Sequence, residues 1–250
     1  MKNKLIIFVQ IILIIIIIIS AIEIIKWFIY NNQSKKILDD LSSSVTITPQ
    51  NENVENLNEE IKTEKAKYNV DFSNLKIRNK EAVAWIKVNG TSIEYPIVQT
   101  NNNNFYLTHS FDKSYNSAGW VFIDYRNKLD GTDKNIIIYG HNRRDGSMFG
   151  TQKNTLTPEW YNNKENLEIS FITEKENLKY QVFSVYEIPA EEYYIQTEFT
   201  NQNFGKFIQT LKQRSIKDFG IEVYETDQII TLSTCGVSNK NRVVLHAKKI

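Results

Sequence analysis

The sequence predicts a mainly β domain, a barrel or sandwich with peripheral helices, carried behind an N-terminal transmembrane helix. Three observations predict it. From about Phe72 onward, short β-type runs alternate with Asn, Gly and Asp punctuation. In that region the stretch 203–215, with Phe204, Phe207, Ile208 and Leu211 at helical spacing, reads as one surface helix, and the long crossover helices of a doubly wound sheet are missing. Residues 5–22 form an apolar run broken only by Gln10 and Ser20.

As a helix, that run spans about 27 Å at ~1.5 Å per residue, close to the hydrocarbon thickness of a bilayer. Glu23 and Lys26 end it, and Trp27 and Tyr30 sit where interfacial aromatics belong. A cleaved signal peptide would have a shorter apolar core and a better small-residue site than Ser20-Ala21, so residues 1–30 read as an uncleaved anchor. Lys2 and Lys4 on one flank oppose Lys26, Lys35 and Lys36 on the other, so charge alone leaves the orientation open. The chain holds 30 basic and 29 acidic residues, net +1, spread along its length. That distribution excludes the clustered basic footprint of a nucleic-acid partner.

Residues 31–70 are polar and charged and read as a stalk. Val54, Leu57 and Ile61 are spaced for a short helix over 54–67. The domain proper, 71–250, opens with EAVAWIK (81–87), a VNGT turn and SIEYPIVQT (92–100). Further strands are GWVFIDY (119–125), NIIIYGH (135–141), LEISFI (167–172), LKYQVFSVYEI (178–188), QIITLSTC (228–235) and RVVLHAK (242–248). Asp130-Gly131-Thr132-Asp133 has too few ligands at loop spacing for calcium and reads as a β-turn.

The last two strands flank a short polar loop and should be antiparallel neighbours. If Cys235 lies opposite Arg242, alternation puts Ser233, Cys235, Arg242 and Val244 on one face. Cys235 is the only cysteine in the chain. A guanidinium beside it would favour thiolate and could hold a developing oxyanion. The competing reading makes Cys235 a buried apolar filler and Arg242 a surface charge. Of the three histidines, His141 ends a strand behind Gly140, which permits close backbone approach, and so displays its imidazole at a rim. His246 lies four residues from Arg242 within a strand, about 13 Å away, too far to partner Cys235. His109, in an Asn-rich loop, reads as structural or surface.

TLSTC, with Arg242 downstream and YGH upstream, resembles the sortase family of membrane-anchored cysteine transpeptidases. AWIKVNGTSIEYPIVQT, NFYLTHSF, GWVFIDYRN and YGHN, in that order, resemble its class B, and the similarity spans about residues 75–250. The resemblance implies an eight-stranded β-barrel with Cys235 ending one strand, Arg242 on the next and His141 across a groove. It also implies an extra helix between the sixth and seventh barrel strands, matched by 203–215. Leu107, Tyr194, Ile195 and Ser233 are the implied substrate-binding residues. Ala190 stands where some relatives have Thr, which weakens one contact, and Val237 stands where some carry an acid, so no carboxylate-assisted triad is expected.

The implied reaction cleaves a C-terminal sorting signal, NPQTN-like or [SP]PxTG-like, after Thr through a thioester on Cys235. His141 serves as acid and base and Arg242 steadies the oxyanion, with no cofactor or metal. The implied partners are exported proteins carrying the signal, a peptidoglycan precursor or cell-wall peptide amine, and the membrane through the N-terminal helix. The implied location is the cell membrane, single-pass, with a cytoplasmic N-terminus and an extracellular catalytic domain. Two other functions compete: an endopeptidase that releases the thioester to water, and a non-catalytic membrane-tethered binding domain with an inert Cys235.

Overall fold

The computed structural model describes residues 2–49, 66–235 and 240–250. Eight strands close into a barrel: β3 (Ala82–Val88), β4 (Glu94–Val98), β5 (Phe122–Ile123), β6 (Asn135–Tyr139), β7 (Glu168–Thr173), β8 (Asn177–Pro189), β9 (Ile229–Cys235) and β10 (Asn241–Lys249). Around the barrel the order is β10-β8-β7-β3-β4-β5-β6-β9. Closure leaves the barrel itself without a free strand edge. All neighbours are antiparallel except β4 with β5 and β6 with β9. The helix expected at 203–215 forms as α4 (Asn201–Arg214), between the sixth and seventh barrel strands.

Strands β3, β4, β6 and β9 are rich in Val and Ile, whose branched side chains fit a pleated, buried surface. Their inward faces meet in one cluster that includes Trp85, Trp120, Phe171, Leu232 and Leu245, all essentially without solvent exposure. Each such side chain contributes roughly 1.5–3 kcal/mol or more by leaving water. A second, smaller cluster lies outside the barrel. There α4 (Asn201–Arg214) packs Phe204, Phe207, Ile208 and Leu211 against Phe183, Tyr186, Ile229 and Val244 of the strands. Thr200 caps α4, its side chain accepting from the Asn203 amide. The strand expected at 119–125 is reduced to Phe122–Ile123: Gly119 closes a turn from Asn116 and packs under His141, and the Trp120 amide donates to Tyr106 O rather than to a strand.

The N-terminal part departs from a free stalk. Helix α1 runs unbroken from Lys2 to Ser42, and its apolar side chains from Leu5 to Ile29 are exposed. Its C-terminal third lies on the domain: Leu41 is fully buried, with Ile37 and Leu38 packed on the main core. Gln33 donates to Ser114 Oγ at 2.9 Å, Asn116 donates to Tyr30 O at 3.0 Å, and Arg78 pairs with Asp40 at 2.8 Å. Residues 31–42, expected to begin a polar stalk, are thus one amphipathic end of the same helix. An antiparallel pair, β1 (Val45–Pro49) with β2 (Ala66–Val70), leads into α2 (Phe72–Arg78), with α3 (Pro158–Tyr161) further along. The helix expected over 54–67 lies outside the described residues, save that its last two positions begin β2.

Candidate active site

Three strand ends build the site. In the β9–β10 hairpin Cys235 is the backbone partner of Arg242, and Ser233 that of Val244, the register expected from the sequence. The side chain of Cys235 lies outside the described atoms. Strand β6 runs parallel to β9 with Tyr139 opposite Ser233, and the Gly140 amide extends the ladder by donating to Ser233 O at 3.3 Å. His141 therefore leaves β6 level with Cys235. Gly140 is required there, because a Cβ at that position would lie 2.7 Å from the Phe149 ring.

The His141 ring is oriented from below. Its Nε2 lies 2.8 Å from Leu107 O. A carbonyl only accepts, so Nε2 carries a proton. Gly119 makes this packing possible, at φ +62 and so close that a Cβ would sit 2.9 Å from His141 Cδ2 and 2.6 Å from Tyr106 O. The loop after His141 folds back, with the Phe149 amide donating to His141 O at 3.0 Å and Arg143 paired with Asp145. His109 instead stacks on Phe105, with ring centres 4.0 Å apart, and serves local packing.

A cleft of about 360 Å³ opens where these strand ends meet. Leu107, His141, Tyr194, Ile195, Ser233 and Arg242, all expected from the sequence, line it together. Tyr194 is nearly buried, its hydroxyl 2.9 Å from Ser233 Oγ. Arg242 is half-buried, with Nη1 3.2 Å from Asn241 O.

Several residues that shape the cleft were not expected. Asn103 and Tyr139 line it. Both donate to the buried Asp124 carboxylate at 2.9 Å, and Arg126 grips the same carboxylate through Nε at 2.8 Å and Nη2 at 2.7 Å. Burial opposes ionisation of Asp124, but these hydrogen bonds outweigh it and hold the carboxyl below its ordinary range. The Tyr139 phenol is pushed strongly upward by burial and by the Asp124 charge, so it stays protonated and donates. Arg126 also donates to Ile195 O at 2.9 Å, joining this cluster to the opposite wall. The only local signal in the sequence was the Asp-Tyr-Arg spacing within GWVFIDYRN.

The Asp130–Asp133 stretch, expected as a β-turn, is a bend closed by side-chain hydrogen bonds. Asp130 accepts from Thr132, and Asp133 accepts from the Lys128 and Leu129 amides. His246 is fully buried in β10, its Nδ1 2.8 Å from Thr231 Oγ1 and its Nε2 2.8 Å from Tyr186 Oη.

Comparison with known proteins identifies the family of the domain. A Sortase domain model matches residues 86–250. A sortase B of Listeria monocytogenes is 35% identical over 224 residues, covering 88% of this chain and 86% of the relative. Sortase B of Bacillus anthracis, solved in complex with AAEK1, superposes with a TM-score of 0.74 at 30% identity, covering 89% of this chain and 99% of that one. A Staphylococcus aureus sortase B–substrate complex gives 0.67 at 34% identity, covering 72% and 84%. With a closed eight-stranded barrel, a helix between its sixth and seventh strands and a family match over the whole barrel beyond its first few residues, the chain belongs to the sortase family, as a class B cysteine transpeptidase.

Proposed function

We propose that this enzyme cleaves a C-terminal sorting signal after Thr and transfers the exported protein to a cell-wall peptide amine. Cys235, His141 and Arg242 carry out the chemistry. The observation that carries this reading is the strand register: Cys235 opposite Arg242 in the hairpin, and His141 level with Cys235 across the parallel pair.

The thiolate of Cys235 attacks the Thr carbonyl carbon, and the carbonyl π electrons move onto oxygen. The guanidinium of Arg242 donates to that oxyanion. Collapse breaks the C–N bond, and His141, as imidazolium, gives its proton to the departing amine, leaving a thioester on Cys235. The acceptor amine then attacks the thioester, neutral His141 takes the surplus proton, and an amide forms as the thiolate departs. Tyr194, Ile195, Leu107 and Ser233 form the walls against which the signal lies, of NPQTN-like or [SP]PxTG-like type. The apolar segment of α1, residues 5–29, anchors the enzyme with its N-terminus inside and the catalytic domain outside, where exported substrate and wall precursor meet.

Incubating the full chain in detergent micelles with a panel of fluorescent pentapeptides tests this reading, using mass spectrometry of Cys235 with and without added amine. A thioester on Cys235, and an amide product only when amine is present, are expected. Release to water alone, unchanged by saturating amine, would favour an endopeptidase, and no adduct on Cys235 with any peptide would refute the reading.

A further inference from the structure

A buried polar ladder crosses the outer face of the barrel just below the cleft. Its direction is set at one end. The Asn135 side-chain amide donates to Gln196 O at 2.9 Å and Tyr194 O at 3.3 Å. Both are carbonyls and only accept, so Asn135 Oδ1 must face Thr231 and accept the Thr231 hydroxyl proton at 2.6 Å. Having given its one proton away, Thr231 Oγ1 can only accept from His246 Nδ1–H. Burial disfavours a second ring proton, so the imidazole is neutral and its Nε2 accepts from the Tyr186 hydroxyl. Tyr186 Oη accepts in turn from Tyr193 Oη–H at 2.8 Å. Burial reinforces the neutral ring, pushing His246 down to about 3.

Two features separate this ladder from ordinary core filling. It begins and ends on the same loop, with the Tyr193 hydroxyl at one end and the carbonyls of Tyr194 and Gln196 at the other. It also steps across β8, β10, β9 and β6 in their order of pairing, and three of these strands lead to Arg242, Cys235 and His141. A purely apolar face would bury the same strands without setting where the loop's backbone sits, because hydrophobic packing lacks direction and hydrogen bonds have it.

We infer that Tyr186, His246, Thr231 and Asn135 form a positioning ladder that sets the substrate-binding wall, Tyr194 and Ile195, relative to the reacting strand ends. His246 is thus a positioning residue for substrate affinity rather than an acid or base. This assignment rests on the proposed function for the meaning of the wall, though not for the ladder itself.

The test uses the full chain in detergent and Thr231→Val, which removes the hydroxyl while nearly keeping the shape. Amide exchange of segment 190–199, read by mass spectrometry, needs no peptide and should be faster in the variant, with exchange in β3 and β4 unchanged. In a Cys235→Ala background the dissociation constant for the best sorting peptide should rise roughly three- to tenfold, the scale of one lost hydrogen bond. With Cys235 present, KM should rise similarly while kcat and the rate of Cys235 alkylation by iodoacetamide hold, and Thr231→Ser should restore all values. Tyr193→Phe, at the half-buried end of the ladder, provides the same readings if Thr231→Val does not fold. Unchanged exchange in 190–199, or lower thermal stability with unaltered peptide affinity, would overturn the ladder's role. A wild-type chain that captures no peptide defeats the proposed function instead, and the exchange data still decide the ladder.

Discussion

Tyr139 and Ser233 are partners in the parallel pairing of β6 with β9, and two residues beyond each stand His141 and Cys235. The same step of two from a shared register pair keeps the backbone of His141 level with that of Cys235. The hairpin adds Arg242 opposite Cys235. The site is therefore a property of strand register, and a change that moves any one strand end is expected to show in turnover before it shows in folding.

Arg242→Lys keeps the charge and loses the planar fork of donors. Transpeptidation kcat/KM should fall roughly 10²- to 10³-fold, as for removal of an oxyanion donor. Thermal stability should change little, since Arg242 is half-buried and its only described side-chain hydrogen bond is to the neighbouring Asn241 carbonyl. Steady-state kinetics beside a melting curve checks both.

His141→Ala should lower kcat by about 10²- to 10⁴-fold, the range for a positioned acid–base group. Near-normal turnover in that variant would reassign the role. An exogenous imidazole series would separate loss of the proton donor from misfolding, because added imidazole restores only the former.

Gly119→Ala places a methyl group 2.6 Å from Tyr106 O and 2.9 Å from His141 Cδ2, at a backbone φ of +62 that alanine tolerates poorly. His141 should be displaced, and kcat should fall by as much as about 10²-fold with KM less affected, since small misplacements at reacting groups are costly. The variant should also melt at a lower temperature.

Stability should fall with acid in two stages. The His246 imidazole is held by burial well below its ordinary value, at about 3, so the unfolded chain takes up a proton near 6.5 that the folded chain refuses. Folding free energy gained above about pH 6.5 should therefore drain away as pH falls toward 3, by up to about 1.4 kcal/mol per pH unit. The Asp124 carboxyl, also depressed, adds its loss only as pH drops below the ordinary carboxylate range. Urea titrations from pH 7 to 4 should show the first slope, and His246→Gln should flatten it.

The docked end of α1 should matter to the domain while the exposed segment should not. Removing residues 1–29 should leave folding and turnover intact, because the described polar contacts of α1 with the domain begin at the Tyr30 carbonyl. Leu41→Ala should cost about 2–5 kcal/mol, since Leu41 is fully buried in the main core. Thermal denaturation of the three chains compares them directly.

Much of this architecture was legible before any coordinates. β-branched runs with turn punctuation placed most of the barrel strands, and α4 was visible from Phe204, Phe207, Ile208 and Leu211. The pairing of Cys235 with Arg242 was legible because a hairpin with a short loop has few registers open to it. The Asp124–Arg126 clamp and the His246 ladder were not. Asp124 drew no separate reading within the expected strand 119–125 and His246 only that it lies too far from Cys235, since their partners Tyr139, Asn103, Thr231 and Asn135 come from other strands and loops.

The sequence by itself determined the elements, the anchor-like helix and the hairpin carrying Cys235 and Arg242, because side-chain period and loop length act over a few neighbouring residues. Only the tertiary structure decided that β6 lies beside β9, which brings His141 level with Cys235. It also decided that residues 31–42 lie on the domain and that the Tyr194 wall is held from four strands. Each of those contacts joins segments far apart in the chain. Their geometry follows from closing the barrel as a whole, a constraint that no local pattern of residues carries.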